Sequence, residues 1–122
     1  MRNMSFSITT RQIKERTKTV TRRLGWRCLN PGDLICAVAK GMGLKRGERV
    51  ERLAVLWVKS IREEALDAIT PEDVALEGFP GMSPAAFVEM FCRGHQCVEW
   101  ELVRRIEFEY GDVPATAVKE SI

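Results

Sequence analysis

The chain has 122 residues, 45% of them hydrophobic and 30% charged, and a formal net charge of +2. That length and mixture suit one folded domain with its own core and exclude a disordered segment. A net charge this small does not by itself predict a polyanionic partner, and no apolar run approaches the roughly 20 residues that a membrane-crossing helix needs.

In chain order, Ser5 to Ile8 alternates polar and apolar residues and predicts a first strand. Thr9 or Thr10 is placed to cap a short helix through Lys14. Thr17 to Leu24 is rich in β-branched residues and predicts a second strand. Asn30-Pro31-Gly32-Asp33 is a tight turn, followed by a buried strand over Leu34 to Val38. Gly41, Gly43 and Gly47 mark a basic loop that carries Lys45 and Arg46, and Val50 to Ile61 is the longest strand candidate. Thr70-Pro71-Glu72-Asp73 has a capping hydroxyl, proline at the first helical position and acids near the positive end of the dipole, so a short helix runs from there to Gly78. Ser83-Pro84 starts another helix, with Phe87, Met90 and Phe91 at inward spacing. Val98 to Tyr110 reads as a long strand closing a barrel, with Ile106, Phe108 and Tyr110 on one face. The domain therefore spans 1–111, and 112–122 is expected to be a loose tail.

Charge is unevenly spread. Arg11, Lys14, Arg16, Lys18, Arg22, Arg23 and Arg27 crowd the first quarter, and acids from Glu63 to Glu77 crowd the middle. Such asymmetry fits either one basic face or an ordinary solvated surface. The beginning of the chain lacks an apolar signal region, so a cytoplasmic location is expected and Cys28, Cys36, Cys92 and Cys97 are read as thiols. Cys92, His95 and Cys97 invite a zinc reading, but the spacing is not the usual C-x-x-C pair and His95 is the only histidine. We expect no metal, no cofactor and no structural disulfide there, buried cysteine being commonly a small hydrophobe. Among the three tryptophans, Trp26 beside the basic segment is the candidate for stacking on a base, although tryptophan more often serves a core.

Lys18-Thr19-Val20-Thr21-Arg22-Arg23 resembles the K-x-x-[TE]-x-R signature of ASCH domains, a PUA-like family. Pro31-Gly32-Asp33 resembles the family's PGD element, Ile69-Thr70 to Glu77-Gly78-Phe79 its acidic helix ending in EGF, and Ile106-Glu107-Phe108 its last strand. The resemblance runs from about Ser5 to Tyr110 and rests on the order and spacing of short motifs. It departs at Arg16, where the family usually has glycine, and arginine there predicts a differently shaped loop ahead of Lys18. The resemblance implies an α+β fold: a PUA-like mixed β-barrel with two or three short peripheral helices. It also implies binding of RNA or of a nucleoside-like small molecule. It extends to small bacterial amidohydrolases acting on N4-acetylcytidine, whose functional Lys, Thr and Glu positions fall on Lys18, Thr21 and Glu77. Other family members are considered RNA-binding or RNA-cleaving.

The residues themselves allow that chemistry. In a strand, Thr21 and Arg23 share a face, and Lys18 meets Thr21 only if it precedes the strand on a turn or bulge. A threonine hydroxyl needs a base to become a nucleophile, and lysine serves once burial or neighbouring cations lower its pKa. Glu77 would move a proton to the leaving amine, and Arg23, with Arg22, Trp26 and Lys45, would hold the substrate. Against this stands the plain reading of a Lys18–Glu77 ion pair fixing helix to barrel, an inert Thr21 and a surface Arg23. Two functions remain open: hydrolysis of the amide of N4-acylated cytidine, and RNA binding without catalysis. A monomer is favoured.

Overall fold

The computed structural model describes residues 1–41 and 45–111. Gly43 and the expected tail at 112–122 lie outside the described residues. In chain order come β1 (Arg2–Ser5), α1 (Thr10–Lys14), β2 (Val20–Arg23), β3 (Leu34–Val38), β4 (Arg52–Ala65), α2 (Pro71–Leu76), α3 (Pro84–His95) and β5 (Leu102–Tyr110). A 3-10 turn, Leu66–Ala68, joins β4 to α2. The strands form one mixed, curled half-barrel sheet in the order β1-β3-β4-β5-β2, with β1 parallel to β3 and the remaining pairs antiparallel. This is the expected α+β class.

The paired β4 and β5 are the spine of the sheet. β4 runs past Ile61 to Ala65 because β5 stays in register with it down to Leu102. Their inward residues Leu56, Val58, Ile106, Phe108 and Tyr110 pack with Met4, Phe6, Ile13, Leu29 and Ile35 in one apolar cluster. A second cluster under α2 and α3 gathers Leu66, Ile69, Val74, Phe87, Val88, Phe91 and Val103.

Four expectations need correction. β2 begins at Val20 and not at Thr17, because Thr17 N and Lys18 N turn back to Gln12 O and Thr19 N to Leu76 O. β1 lies upstream of Ser5–Ile8: Phe6 N donates the last sheet bond to Val38 O at 2.8 Å, β3 ends there, and the chain turns as Thr9 N reaches Phe6 O. β5 begins at Leu102, because Val98–Glu101 closes a turn through Glu101 N and Val98 O. β5 also does not close a barrel. It is an inner strand between β4 and β2, and the open edges are β1 and β2. A side chain spans that seam: Arg23 NH2 of β2 donates to Ser5 O of β1 at 2.6 Å.

Both longer helices start as their sequences predict. The Thr70 hydroxyl accepts from Asp73 N at 3.2 Å, and the Ser83 hydroxyl from Ala86 N at 3.1 Å, each ahead of a proline. At α1 the hydroxyl of Thr9 makes no capping bond, and Thr10 donates to Phe6 O instead. After α2 the chain turns at Gly78, where φ is 108° and an added Cβ would stand 2.9 Å from Gln12 Cγ. Gln12 Nε2 donates to Gly78 O at 3.1 Å, tying α1 to the end of α2. Gly78→Ala should therefore destabilise the protein by about 1–3 kcal/mol, through strain and displaced Gln12, as a lowered urea midpoint at unchanged slope.

Candidate functional site

The segment from Arg16 to Thr19 sets the site. Thr17 N and Lys18 N both donate to Gln12 O, Thr19 N donates to Leu76 O, and Thr19 O accepts from Phe108 N. The Tyr110 hydroxyl donates to Lys18 O at 2.6 Å, and burial pushes that phenol up to about 12. Lys18 thus precedes β2, as its meeting with Thr21 requires. The loop nevertheless turns through Arg16 at φ 62°, the left-handed geometry that favours glycine, and the Arg16 guanidinium lies 5.4 Å from the Tyr110 ring centre. Arginine thus takes here a backbone geometry that disfavours it.

Lys18 and Glu77 are both 3% exposed. Lys18 Nζ donates to Glu77 Oε1 at 2.8 Å and to Glu77 O at 2.6 Å. The other carboxylate oxygen, Oε2, accepts from Arg22 NH1 at 3.1 Å. Burial lowers the Lys18 pKa; Glu77 opposes that shift, and the charges of Arg23 and Arg22 add to it. No hydrogen bond joins Lys18 to Thr21. The Thr21 hydroxyl accepts from Arg23 Nε at 3.1 Å, a pairing that follows from their i, i+2 spacing on one face of β2. Arg23 also lies over the Phe6 ring at 4.7 Å, and burial holds its guanidinium down at about 10, against a raising effect of Glu77.

These groups open onto one cavity of about 230 Å³, at the β1–β2 seam. Lys18, Thr21, Arg22, Arg23 and Glu77 form its polar side; Phe79, Phe87, Met90 and Phe91 form its apolar side; Ser7, Thr9 and His95 also line it. Of the substrate-binding candidates, Arg22 and Arg23 are in the lining, whereas Trp26 and Lys45 are not. Trp26 packs partly buried against the core, with Arg2 stacked 4.1 Å over its ring, and Lys45 is exposed on the loop beside Glu48.

Sequence reasoning missed the frame behind Glu77. Asp73 accepts from Arg105 at 2.6 and 3.0 Å and from Arg22 NH2 at 2.6 Å, and Arg22 NH2 also reaches Glu64 at 2.8 Å. The residues lie far apart in sequence, so no local pattern announces the cluster; only the i, i+4 spacing of Asp73 and Glu77 hinted that both would face one way. His95 was weighed as a metal ligand. Its ring stacks on Phe91 at 4.1 Å with an interplanar angle of 4°, while Cys92 and Cys97 place their sulfurs 3.9 Å apart. Among the described residues no group of His, Cys, Asp or Glu is arranged to hold a metal ion, and no helix is long and apolar enough to cross a membrane.

No family model and no curated protein sequence matches the chain. Solved structures do. The ASCH domain from Lactobacillus crispatus JV V101 aligns with a TM-score of 0.66 at 15% identity, over 89% of this chain and 78% of that one. Hypothetical protein PH0355 aligns with a TM-score of 0.63 at 22% identity, over 90% of this chain and 99% of that one. Protein EF3133 from Enterococcus faecalis V583 aligns with a TM-score of 0.55 at 12% identity, over 85% and 67%. The chain has the ASCH-domain fold.

Proposed function

We infer that this ASCH-fold domain binds a modified pyrimidine nucleoside in the seam cavity and hydrolyses the amide of an N4-acylated cytidine. The observation that carries the reading is the convergence of Lys18, Glu77 and Thr21 on one small, largely apolar cavity. Its volume lies just below the roughly 300 Å³ at which ordinary ligand pockets begin, which suits a base and part of a sugar. Phe79, Phe87 and Phe91 offer apolar rings to a planar base.

The chemistry divides among the residues as follows. The Thr21 hydroxyl, or a water held by it, attacks the acyl carbonyl. Lys18, its pKa lowered by burial, accepts the proton of the attacking group as the neutral amine, with Glu77 as relay. Arg23, already bonded to the Thr21 hydroxyl, orients that oxygen for the attack. The Lys18–Glu77 couple returns the proton to N4 as the C–N bond breaks, releasing cytidine. Loss of the acyl group as its acid completes the balance, with water as the only co-reactant.

Pairing of five surface cations lessens the charge available to a long nucleic-acid groove. Lys14, Lys40, Lys59, Arg62 and Arg93 each face a carboxylate within 4 Å. A phosphate-tracking stripe needs several free cations in a row. Incubation with N4-acetylcytidine should yield cytidine and acetate, followed by chromatography. No turnover, together with single-stranded RNA binding that falls steeply with salt, would replace this reading by a non-catalytic RNA-binding module.

A further inference from the structure

The charges around the cavity do not cancel. Lys18 is matched by Glu77, and Arg22 is matched by Asp73, Glu64 and the second oxygen of Glu77. Arg23 has no carboxylate within ion-pair distance among the described residues; its two bonds go to the Thr21 hydroxyl and the Ser5 carbonyl, which leaves NH1 without a protein acceptor. His95 lines the same cavity, close enough that the Arg23 charge adds to burial in holding its imidazole below the ordinary value. Phe91 fixes the plane of that ring by stacking. Thr9, also in the lining and 6% exposed, does not spend its hydroxyl on capping α1. A cation, an imidazole and a hydroxyl thus line a cavity whose other charged groups are already paired.

We propose that Arg23, His95 and Thr9 form a phosphate subsite, so that the preferred ligand is a nucleotide, or a nucleotide unit of an RNA chain, and not a free nucleoside. A guanidinium offers planar donors to phosphate oxygens, and a histidine ring carries an N–H donor in either protonation state. The proposal rests on the pyrimidine reading only for what occupies the apolar side.

The test is calorimetric titration with cytidine, its 5′- and 3′-monophosphates, and a short single-stranded cytidine oligonucleotide. Wild type, Arg23→Gln and His95→Ala are compared. A phosphate should tighten binding about tenfold or more, as charge-assisted bonds of this kind do. Arg23→Gln should erase the gain and His95→Ala should reduce it severalfold, the gain being taken in each variant as the ratio of its affinity for the monophosphate to its own affinity for cytidine. Arg23 also bridges the seam, so His95→Ala, at an exposed helix end, keeps the test decisive should Arg23→Gln unfold. Preference for the 5′-monophosphate alone identifies a free nucleotide as the source; matched gains for the 3′-monophosphate and the oligonucleotide identify an RNA chain. Equal affinity for cytidine and its monophosphates, or a gain that survives both substitutions, overturns the subsite and leaves the amide reading intact. Phosphate-dependent binding without turnover of N4-acetylcytidine or its monophosphates keeps the subsite and removes the amide reading. Binding of none of them removes both.

Discussion

Asp73→Asn should cost about 3–5 kcal/mol of folding stability, the usual result of breaking a buried ion pair from one side. Asp73 is 7% exposed and holds two guanidinium groups, those of Arg105 and Arg22, through three bonds of 2.6 to 3.0 Å. Asparagine keeps the size but brings an NH2 against one of the arginines, leaving positive charge buried without its counter-charge. Arg22 Nε is already a buried donor without an acceptor among the described residues, so the cluster has little slack. Urea unfolding at pH 7 measures the loss.

The same carboxylate sets an acid limit. The Arg105 hydrogen bonds, opposed by burial and reinforced by Arg22, hold the Asp73 carboxyl well below the usual carboxylate range. Glu64 is also lowered: burial works against the shift, and the bonds from Arg22 and Arg62 outweigh it. For a group with a depressed folded pKa, the stabilisation is complete above its unfolded value and is lost as pH falls towards the folded one. Stability should therefore decline from about pH 4 downwards, near the unfolded carboxylate values. The Asp73→Asn protein should show a shallower decline over that window.

Local signals served the sequence well. The Pro31-Gly32 turn placed β3 at its observed bounds, and Thr70 and Ser83 marked the two longer helices because capping is local chemistry. Strand parity put Thr21 and Arg23 on one face, where they are bonded. Pairing partners were less legible. β1 sits three residues upstream of its expected start because the length of β3 decides where it stops, and β3 is over thirty residues away in sequence. The inward spacing of Phe87 and Phe91 read as core, and both are buried, yet the same face of α3 also lines the cavity. Periodicity reports which way a side chain points, and not whether protein or a ligand will fill the space beyond it. The Arg22–Asp73–Arg105 cluster was invisible for the related reason that its members are joined only by the fold.

Thr21→Ala should remove most turnover of an N4-acylated cytidine, by about two to four orders of magnitude if the hydroxyl enters the proton-transfer step. Thr21→Ser should keep a measurable part, since the hydroxyl remains. Lys18 separates a base from a mere charge. Lys18→Arg preserves positive charge beside Glu77, but a guanidinium stays protonated at working pH and cannot take up a proton. Loss of activity as complete as in Lys18→Ala therefore supports a base, and substantial activity in Lys18→Arg argues against one. Each variant needs a thermal midpoint beside it, because Lys18 pairs with Glu77 in the interior. The pH profile adds a readout that packing alone would not move. Burial lowers the Lys18 pKa, Glu77 opposes it, and Arg23 and Arg22 lower it further, so activity should rise with pH along a limb below the ordinary lysine value. Arg23→Gln removes one of the lowering charges and should move that limb to higher pH. If the limb stays in place while overall activity drops, Arg23 acts on the substrate and not on Lys18.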